Sequence, residues 1–140
     1  MPPAPVPPDV DEFLARANPA VVASLLPSGG PHSAATWYDW EDGRVLLNMD
    51  ESRRRLDYLR RDGRVALTVL DEGSWYRHVS LIGTVASIEP DPELADIDRL
   101  ARRYTGRPYR DRQRRSWSAW VQVERWHGWV NGRPWNEGKG

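Results

Sequence analysis

The alternation of apolar and polar residues along the chain predicts short strands separated by tight turns. The run AVVASLL at 20–26 is typical of a buried strand, and PSGG at 27–30 has the residues of a hairpin turn. A second strand is predicted over 31–40 and a third over 45–48, with the turn residues EDG at 41–43 between them. Strands joined by such short turns pair antiparallel, so the chain is expected to begin with a β-meander.

Apolar residues recur at helical spacing in three further stretches. Helices are expected over 9–18, 52–62 and 92–105, with Asp9 capping the first and Ser52 lying near the cap of the second. Proline or glycine residues follow each stretch and are expected to end the helix there.

The remaining apolar runs predict strands over 65–70, 77–89 and 117–129. Gly83 interrupts the second of these, where a β-bulge or a close backbone approach is expected. Hairpins joined by short helices indicate an α+β domain built around an antiparallel, barrel-like sheet.

The two ends of the chain differ from the middle in composition. Five of the first eight residues are proline, which predicts an extended and largely unfolded tail over 1–8. Residues 131–140 are expected to form a polar, loosely held tail. One domain is therefore predicted over 9–130, and a length of 140 residues suits a single core.

Composition excludes several classes of function. Lysine plus arginine and aspartate plus glutamate both number 20, and zero net charge argues against a general binder of nucleic acid or anionic membranes. The chain has no cysteine, no apolar run of membrane-helix length and no leader-like N-terminus, so a cytoplasmic protein without disulfides is expected. Only Lys139 is lysine among the basic residues, a bias typical of GC-rich, actinobacterial-type genomes.

The most informative segment is the run of three arginines that follows Ser52. Arg53, Arg54 and Arg55 fall at the predicted start of a helix, where partial positive charge already favours acidic residues. The conflict disappears if an anion such as a phosphate binds there, because backbone donors and guanidinium groups would meet it together. The alternative is a solvated basic face paired with neighbouring acids, and this pattern alone leaves the two interpretations open.

The order of these segments resembles the pyridoxamine phosphate oxidase-like superfamily, and is most similar to the flavin/deazaflavin oxidoreductases that use coenzyme F420. The similar segments are AVVASLLPSGGPHSAATWYDWEDGRVLLNMD, SRRRLDYLRRDGRVALTVLD, WYRHVSLIGTVASI, IDRLARRYTG and VERWHGW. The resemblance implies an FMN-binding split β-barrel, an antiparallel barrel of six to seven strands with short flanking helices. It also implies a homodimer with cofactor sites at the subunit interface.

The resemblance also implies roles for particular positions. Arg53 and Arg55, beside Arg54, would hold the cofactor phosphate. The remaining positions would lie along the cofactor or its ring: the end of the third strand at Asn48 and Met49, the stretch His32–Thr36 with Ser33 and Ala34, the pocket wall Trp37, and the pair Tyr76 and Arg77.

Three positions depart from the family pattern. Arg55 replaces the usual lysine, Ser52 the usual glycine and Tyr58 a common asparagine. Arginine keeps the charge of lysine but changes its reach and geometry, so the choice between F420 and FMN stays open.

No catalytic residue can be assigned from the sequence. The serines show no nucleophile motif, and His32, His78 and His127 lack metal-ligand spacing, so no metal site is predicted. Four tryptophans, at 117, 120, 126 and 129, are expected mainly at the dimer interface. A second basic run, 110–115, has a solvated loop and a contact to the acidic tail of F420 as alternatives.

The function predicted is an oxidoreductase that uses coenzyme F420 to transfer a hydride to a small conjugated or unsaturated substrate. The alternatives are an FMN-dependent oxidoreductase of the same fold and a non-enzymatic protein that binds a cofactor or a tetrapyrrole. A nucleic-acid binder is a further alternative, against which the zero net charge argues.

Overall fold

The structure is a computed structural model and describes residues 1–135. Within this range the chain forms three helices and an antiparallel sheet of eight strands. In chain order the elements are α1 (Pro8–Leu14), β1 (Ala20–Leu25), β2 (Pro31–Thr36), β3 (Asp39–Glu41), β4 (Arg44–Asp50), α2 (Arg54–Arg61), β5 (Arg64–Leu70), β6 (Arg77–Pro90), α3 (Ala95–Thr105), β7 (Ser116–Val130) and β8 (Arg133–Pro134).

The strands follow the order β2-β1-β5-β6-β7-β4-β3, and β8 pairs with β7. β2 and β3 are the two edges, so the sheet curves without closing, as in a split β-barrel. This confirms the predicted α+β split-barrel class. The strand number exceeds the expected six to seven because the predicted second strand divides and β8 is added.

The division of the predicted second strand has a local cause. At Trp37 and Tyr38 the chain leaves the strand, and the Tyr38 side chain turns fully into the core. Its hydroxyl donates to the carbonyl oxygens of Leu14 at 2.8 Å and Arg16 at 3.0 Å. The tyrosine thereby ties the start of β3 to the end of α1.

One face of the sheet forms the core. Alternate residues of β1, β5 and β6 point inward, among them Val22, Leu67 and Leu81, and each buried side chain of this kind stabilises the fold by about 1.5–3 kcal/mol. The register of β6 against β7 shifts at Gly83, where a Cβ atom would run into the Gln122 carbonyl. Both alternatives predicted for Gly83, a bulge and a close backbone approach, are present.

The first residues differ from the predicted unfolded tail. They are extended, but they lie against β7: Trp126 donates its backbone N–H to Pro2 at 3.1 Å, and Ala4 donates to Glu124 at 2.8 Å. Proline lacks an N–H group but keeps its carbonyl, so a proline-rich segment can still accept hydrogen bonds from a strand. Ala4 and Val6 also pack on the core.

The cap predicted at Asp9 is wrong, because α1 begins at Pro8 with Pro7 as its cap residue. The Asp9 carboxylate instead accepts a hydrogen bond from the indole of Trp135 at 2.9 Å. Trp135 is buried and packs edge-on against Phe13. Residues 131–135 are therefore held by β8 and this indole rather than loosely, and the rest of the predicted tail, 136–140, lies outside the described residues.

None of the helices within residues 1–135 has the length and apolar character needed to cross a bilayer.

Candidate functional site

A cleft of about 1020 Å³ opens between edge strand β2, the end of β4, the start of α2, and α3 with the segment that follows it. We call this the large cleft, and we call residues 106–115, between α3 and β7, the connector. The size is that of a pocket for a small molecule or cofactor. Polar and charged groups line one part of the cleft, and aromatic rings line another.

The three arginines at the start of α2 all border the large cleft. Arg53 occupies the cap position of α2, and no side chain caps the helix. The cap lies one residue after Ser52, as predicted, but Ser52 makes no capping contact, because its hydroxyl and backbone N–H are both directed to the Asp50 carboxylate. The start of α2 therefore faces the cleft without a capping side chain, and the one acidic residue of its first turn, Asp57, lies 3.9 Å from Arg60.

Arg55 is the most enclosed of the three, and its hydrogen bonding is incomplete. Its Nη2 donates to the Thr36 hydroxyl at 3.5 Å, and its buried Nε has no partner in the described structure. Burial, together with the nearby charges of Arg53 and Arg114, lowers the pKa of its guanidinium. Among residues 1–135, no ion pair joins a carboxylate to any of the three arginines.

This arrangement fits a group that carries negative charge. A buried cation without a counter-ion is costly, and an anion in the cleft would supply the missing charge and hydrogen-bond acceptors. The residues present are therefore suited to the phosphate of a cofactor.

A fourth arginine, from a different segment of the chain, also borders the cleft. Arg114 leaves the connector, and its guanidinium lies over the Tyr109 ring at 4.9 Å. Its Nε and Nη2 donate to the Asn48 side-chain oxygen at 3.2 and 3.1 Å. The sequence indicated only a basic run at 110–115, and it gave no reason to expect Arg114 rather than a neighbouring arginine in the cleft.

Aromatic rings form a second wall of the cleft. Trp37 stacks on Tyr104 with 5.6 Å between centroids and 6° between planes, and Tyr109 meets Trp37 edge-on at 6.2 Å. His32 contacts the ring of Tyr58 edge-on at 5.8 Å, and its Nδ1 is buried without a hydrogen-bond partner. This wall offers flat apolar surface next to the cationic end.

The structure brings seven of the ten candidate site residues to the large cleft. They are Ala34, Trp37, Asn48, Met49, Arg53, Arg54 and Arg55.

Ser33, Tyr76 and Arg77 do not border it within this chain. Ser33 points to the opposite face of β2 because neighbouring side chains alternate along a strand. Tyr76 is exposed and stacks on Trp75, while Arg77 lies 3.9 Å from Asp71 and over the ring of Trp135.

Sequence reasoning did not assign Tyr58, Tyr104, Tyr109 or Arg114 to the cleft, although all four line it. Tyr104 was apparent only as an apolar position of α3. Tyr58 was noted as a departure from the family pattern, but without a place in the site.

The four late tryptophans lie apart from the large cleft. Trp126 is part of the core, which overturns its expected place at an interface. Trp117 and Trp120 are half-buried beneath Arg60 and Arg44, each 4.6 Å from a ring centroid. No group of three or more potential metal ligands occurs within residues 1–135.

An open antiparallel sheet with short helices at its edges and a cleft beside an edge strand defines the α+β split β-barrel class. The profile of the family described as pyridoxamine 5'-phosphate oxidase matches residues 6–130. The chain belongs to this family, which is of the flavin/deazaflavin oxidoreductase type.

Solved structures support the same assignment. An F420 reductase is 25% identical with a TM-score of 0.75, and the match covers 83% of this chain and 94% of that one. The conserved hypothetical protein Rv2991 from Mycobacterium tuberculosis is 25% identical with a TM-score of 0.71, covering 91% and 86%. HupZ from Group A Streptococcus shares the fold at 17% identity and a TM-score of 0.65, covering 91% and 98%. No curated protein shows a significant match to the chain.

Proposed function

We propose that the protein is an oxidoreductase that binds coenzyme F420 and transfers a hydride to a small conjugated or unsaturated substrate. The observation that carries this proposal is the half-buried Arg55, which borders the large cleft, together with Arg53, without an acidic partner among the described residues. A cofactor phosphate is the group that this arrangement would bind.

The local structure supports a phosphate at the start of α2. The first backbone N–H groups of a helix can bind an anion, and the start of the uncapped α2 borders the large cleft together with the three arginines. Arginine side chains bind phosphate through paired donors. Arg53 and Arg55 would therefore hold the phosphate, with Arg54 adding charge at the exposed rim.

The remaining walls suit the flat part of such a cofactor. Ala34 on β2 presents a small side chain to the cleft, which allows a ring to approach the strand closely. Trp37 adds aromatic surface, and Met49, although almost fully buried, also borders the cleft. When bound, a deazaflavin or flavin ring would supply the hydride chemistry, and the protein residues would position it and exclude water.

The choice of F420 over FMN is supported by the similarity to a solved F420 reductase. FMN is the alternative cofactor, because it also carries a phosphate that the three arginines could bind. A protein that binds either cofactor without turnover is the non-enzymatic alternative, and a screen of reduced cofactor with conjugated substrates would separate it from an enzyme.

The test of the site is a parallel fluorescence titration of the protein with F420 and FMN. We expect one of them to bind at micromolar concentration or better. The double variant Arg53→Ala, Arg55→Ala should weaken binding at least about tenfold through loss of charge-assisted hydrogen bonds.

The matched control is the double variant Arg60→Ala, Arg61→Ala, which removes the same charge from the last turn of α2. It should bind as the wild type does. Equal binding by both double variants would overturn the site assignment, and no binding of either cofactor by the wild-type protein would overturn the proposed function.

We also propose a homodimer. Val21 on β1 and Ile82 on β6 are 36% and 39% exposed on the outer face of the sheet. β5 lies between these two strands and places Thr68 beside Val21 and Ala66 beside Ile82. This smooth and partly apolar surface is suited to a second copy of the chain. Sedimentation should give a dimer for the wild type and a monomer for Ile82→Glu, and a wild-type monomer would overturn this proposal.

A further inference from the structure

Arg114 is held in the large cleft by contacts to two different walls. Two of its nitrogens donate to the side-chain oxygen of Asn48 on β4, and its Nη1 donates to the Tyr109 hydroxyl at 3.2 Å. Its guanidinium also lies over the Tyr109 ring, 4.9 Å from the ring centroid. These contacts fix the direction of the guanidinium, and no ion pair within 4 Å joins it to a carboxylate among residues 1–135, although its charge acts on the nearby Asp50 carboxylate.

The connector that carries Arg114 is itself fixed. The Asp98 carboxylate on α3 accepts the Tyr109 backbone N–H at 2.9 Å, and it pairs with both terminal nitrogens of Arg112 at 2.7 and 3.1 Å. Arg112 also donates to the Tyr109 carbonyl at 2.9 Å. Arg114 is therefore presented to the cleft by a clamped loop rather than by a free one.

Asn48 has little capacity left for a ligand. It is 7% exposed. Its amide nitrogen lies 3.2 Å from the Ser118 hydroxyl and 3.5 Å from Asp91, and its oxygen accepts from Ser116 at 3.0 Å as well as from Arg114. Asp91 in turn accepts the first backbone N–H groups of α3, from Asp96 and Ile97. Asn48 thus belongs to a buried network that anchors Arg114.

We propose that Arg114 is a second arm of the anion site, contributed by the connector beside the start of α2, and that Asn48 is a positioning residue which aims it. An anionic group between the two arms would neutralise cations from separate elements of the chain. The charges of Arg53 and Arg114 both act on Arg55, which places the two arms within electrostatic range of each other. This inference rests on the proposed cofactor site and adds a specificity for the phosphate-bearing form.

The experiment compares FMN with riboflavin, which has the same ring without the phosphate, and F420 with its phosphate-free deazaflavin. Arg114→Ala should weaken binding of the phosphate-bearing cofactor about tenfold, as expected for a lost hydrogen bond between charged groups. It should leave binding of the phosphate-free compound within about twofold, since the ring contacts remain. Arg114→Lys should recover part of the loss, because it keeps the charge but not the fork of donors.

The matched control is Arg110→Ala, which removes the same charge from the same connector but does not border the large cleft. It should leave FMN binding unchanged.

A second experiment tests the positioning role of Asn48. Asn48→Ala should weaken the binding of phosphate-bearing ligands only while Arg114 is present, so the double variant Asn48→Ala, Arg114→Ala should bind them as Arg114→Ala does. If Asn48→Ala does not fold, Tyr109→Phe tests the same point by removing one acceptor and keeping the ring.

The outcomes separate this inference from the proposed function. If the α2 double variant loses cofactor binding but Arg114→Ala matches Arg110→Ala, the second arm is overturned and the cofactor site stands. If neither cofactor binds, inorganic phosphate is the probe, followed by its effect on the melting temperature. A smaller phosphate effect in Arg114→Ala than in the wild type would support the second arm alone. An equal effect in the two proteins, or no effect on the wild type, would overturn it.

Discussion

Two arginines of this protein, Arg103 and Arg55, carry the same charge but have opposite surroundings. Arg103 on α3 donates to the carbonyl oxygens of Tyr38, Ala15, Leu14 and Arg16 at 2.6–3.2 Å. It also pairs with Asp39 at 3.2 Å. Arg55 on α2 has one long hydrogen bond, to Thr36, and no ion pair among the described residues.

In this comparison the partners of the side chain, rather than its burial or charge, distinguish the structural Arg103 from Arg55, which we propose binds a ligand. The Arg103 side chain is 13% exposed, and every direction of its guanidinium meets an oxygen atom or the rings of Tyr38 and Tyr104. Folding completes its coordination. The coordination of Arg55 is incomplete in the folded chain, which is expected of a residue whose partner is a ligand.

The largest expected effect is on the structural arginine. Arg103→Ala should lower the free energy of unfolding by about 2–4 kcal/mol, because it removes one of the two arginine partners of Asp39 and the donor that four backbone carbonyl groups share. Urea denaturation followed by tryptophan fluorescence measures the change.

Arg102→Ala is the matched control, since the neighbouring side chain is exposed on the same helix. It should change stability by less than about 0.5 kcal/mol. A similar loss in both variants would mean that the hydrogen bonds of Arg103 do not account for its contribution.

The two arginines also differ in how far the sequence could predict them. The dipole conflict at Arg53–Arg55 is local, so the start of a helix and a run of like charges raised an anion site as one of two interpretations, and the family resemblance favoured it. Arg103 and Arg114 depend on partners from distant segments, Leu14 and Asn48 among them, which no periodicity reveals. For the same reason the strands and the Gly83 bulge could be predicted, but the contacts of Pro2, Tyr38 and Trp135 could not.

An intermediate effect is expected at Asp98, a paired acid that supports the unpaired Arg114 through the connector. Hydrogen bonds from Arg112 and the Tyr109 backbone lower the pKa of the Asp98 carboxyl. Asp98→Asn keeps the shape but removes the charge, and should cost about 1–3 kcal/mol of stability at pH 7. It should also weaken binding of a phosphate-bearing cofactor, because the loop that presents Arg114 loosens.

The pH dependence of this variant sharpens the prediction. The folded pKa lies below the unfolded value of about 3.9, so the contribution of Asp98 is complete above that pH and is lost as pH falls through the folded pKa. The stability difference between wild type and Asp98→Asn should therefore be constant from about pH 5 to 8 and shrink below about pH 4. A difference that grows on acidification would contradict the assigned role of the carboxylate.

The smallest effect on stability is expected at Arg55, the arginine that we propose binds a ligand. In the unliganded protein Arg55→Ala should change the free energy of unfolding by less than about 0.5 kcal/mol or raise it, since the variant removes a desolvated charge repelled by Arg53 and Arg114. The lowered pKa of the Arg55 guanidinium agrees with this expectation. It means that folding disfavours the charged form, which is the form present at every working pH.

Ligand should reverse this order. A saturating phosphate-bearing cofactor should raise the melting temperature of the wild-type protein and raise that of Arg55→Ala much less, because stabilisation follows affinity for the folded state. Differential scanning fluorimetry with and without cofactor measures both values. If Arg55→Ala destabilised the free protein as strongly as Arg103→Ala does, Arg55 would be a structural arginine, and the distinction between the two groups would not hold.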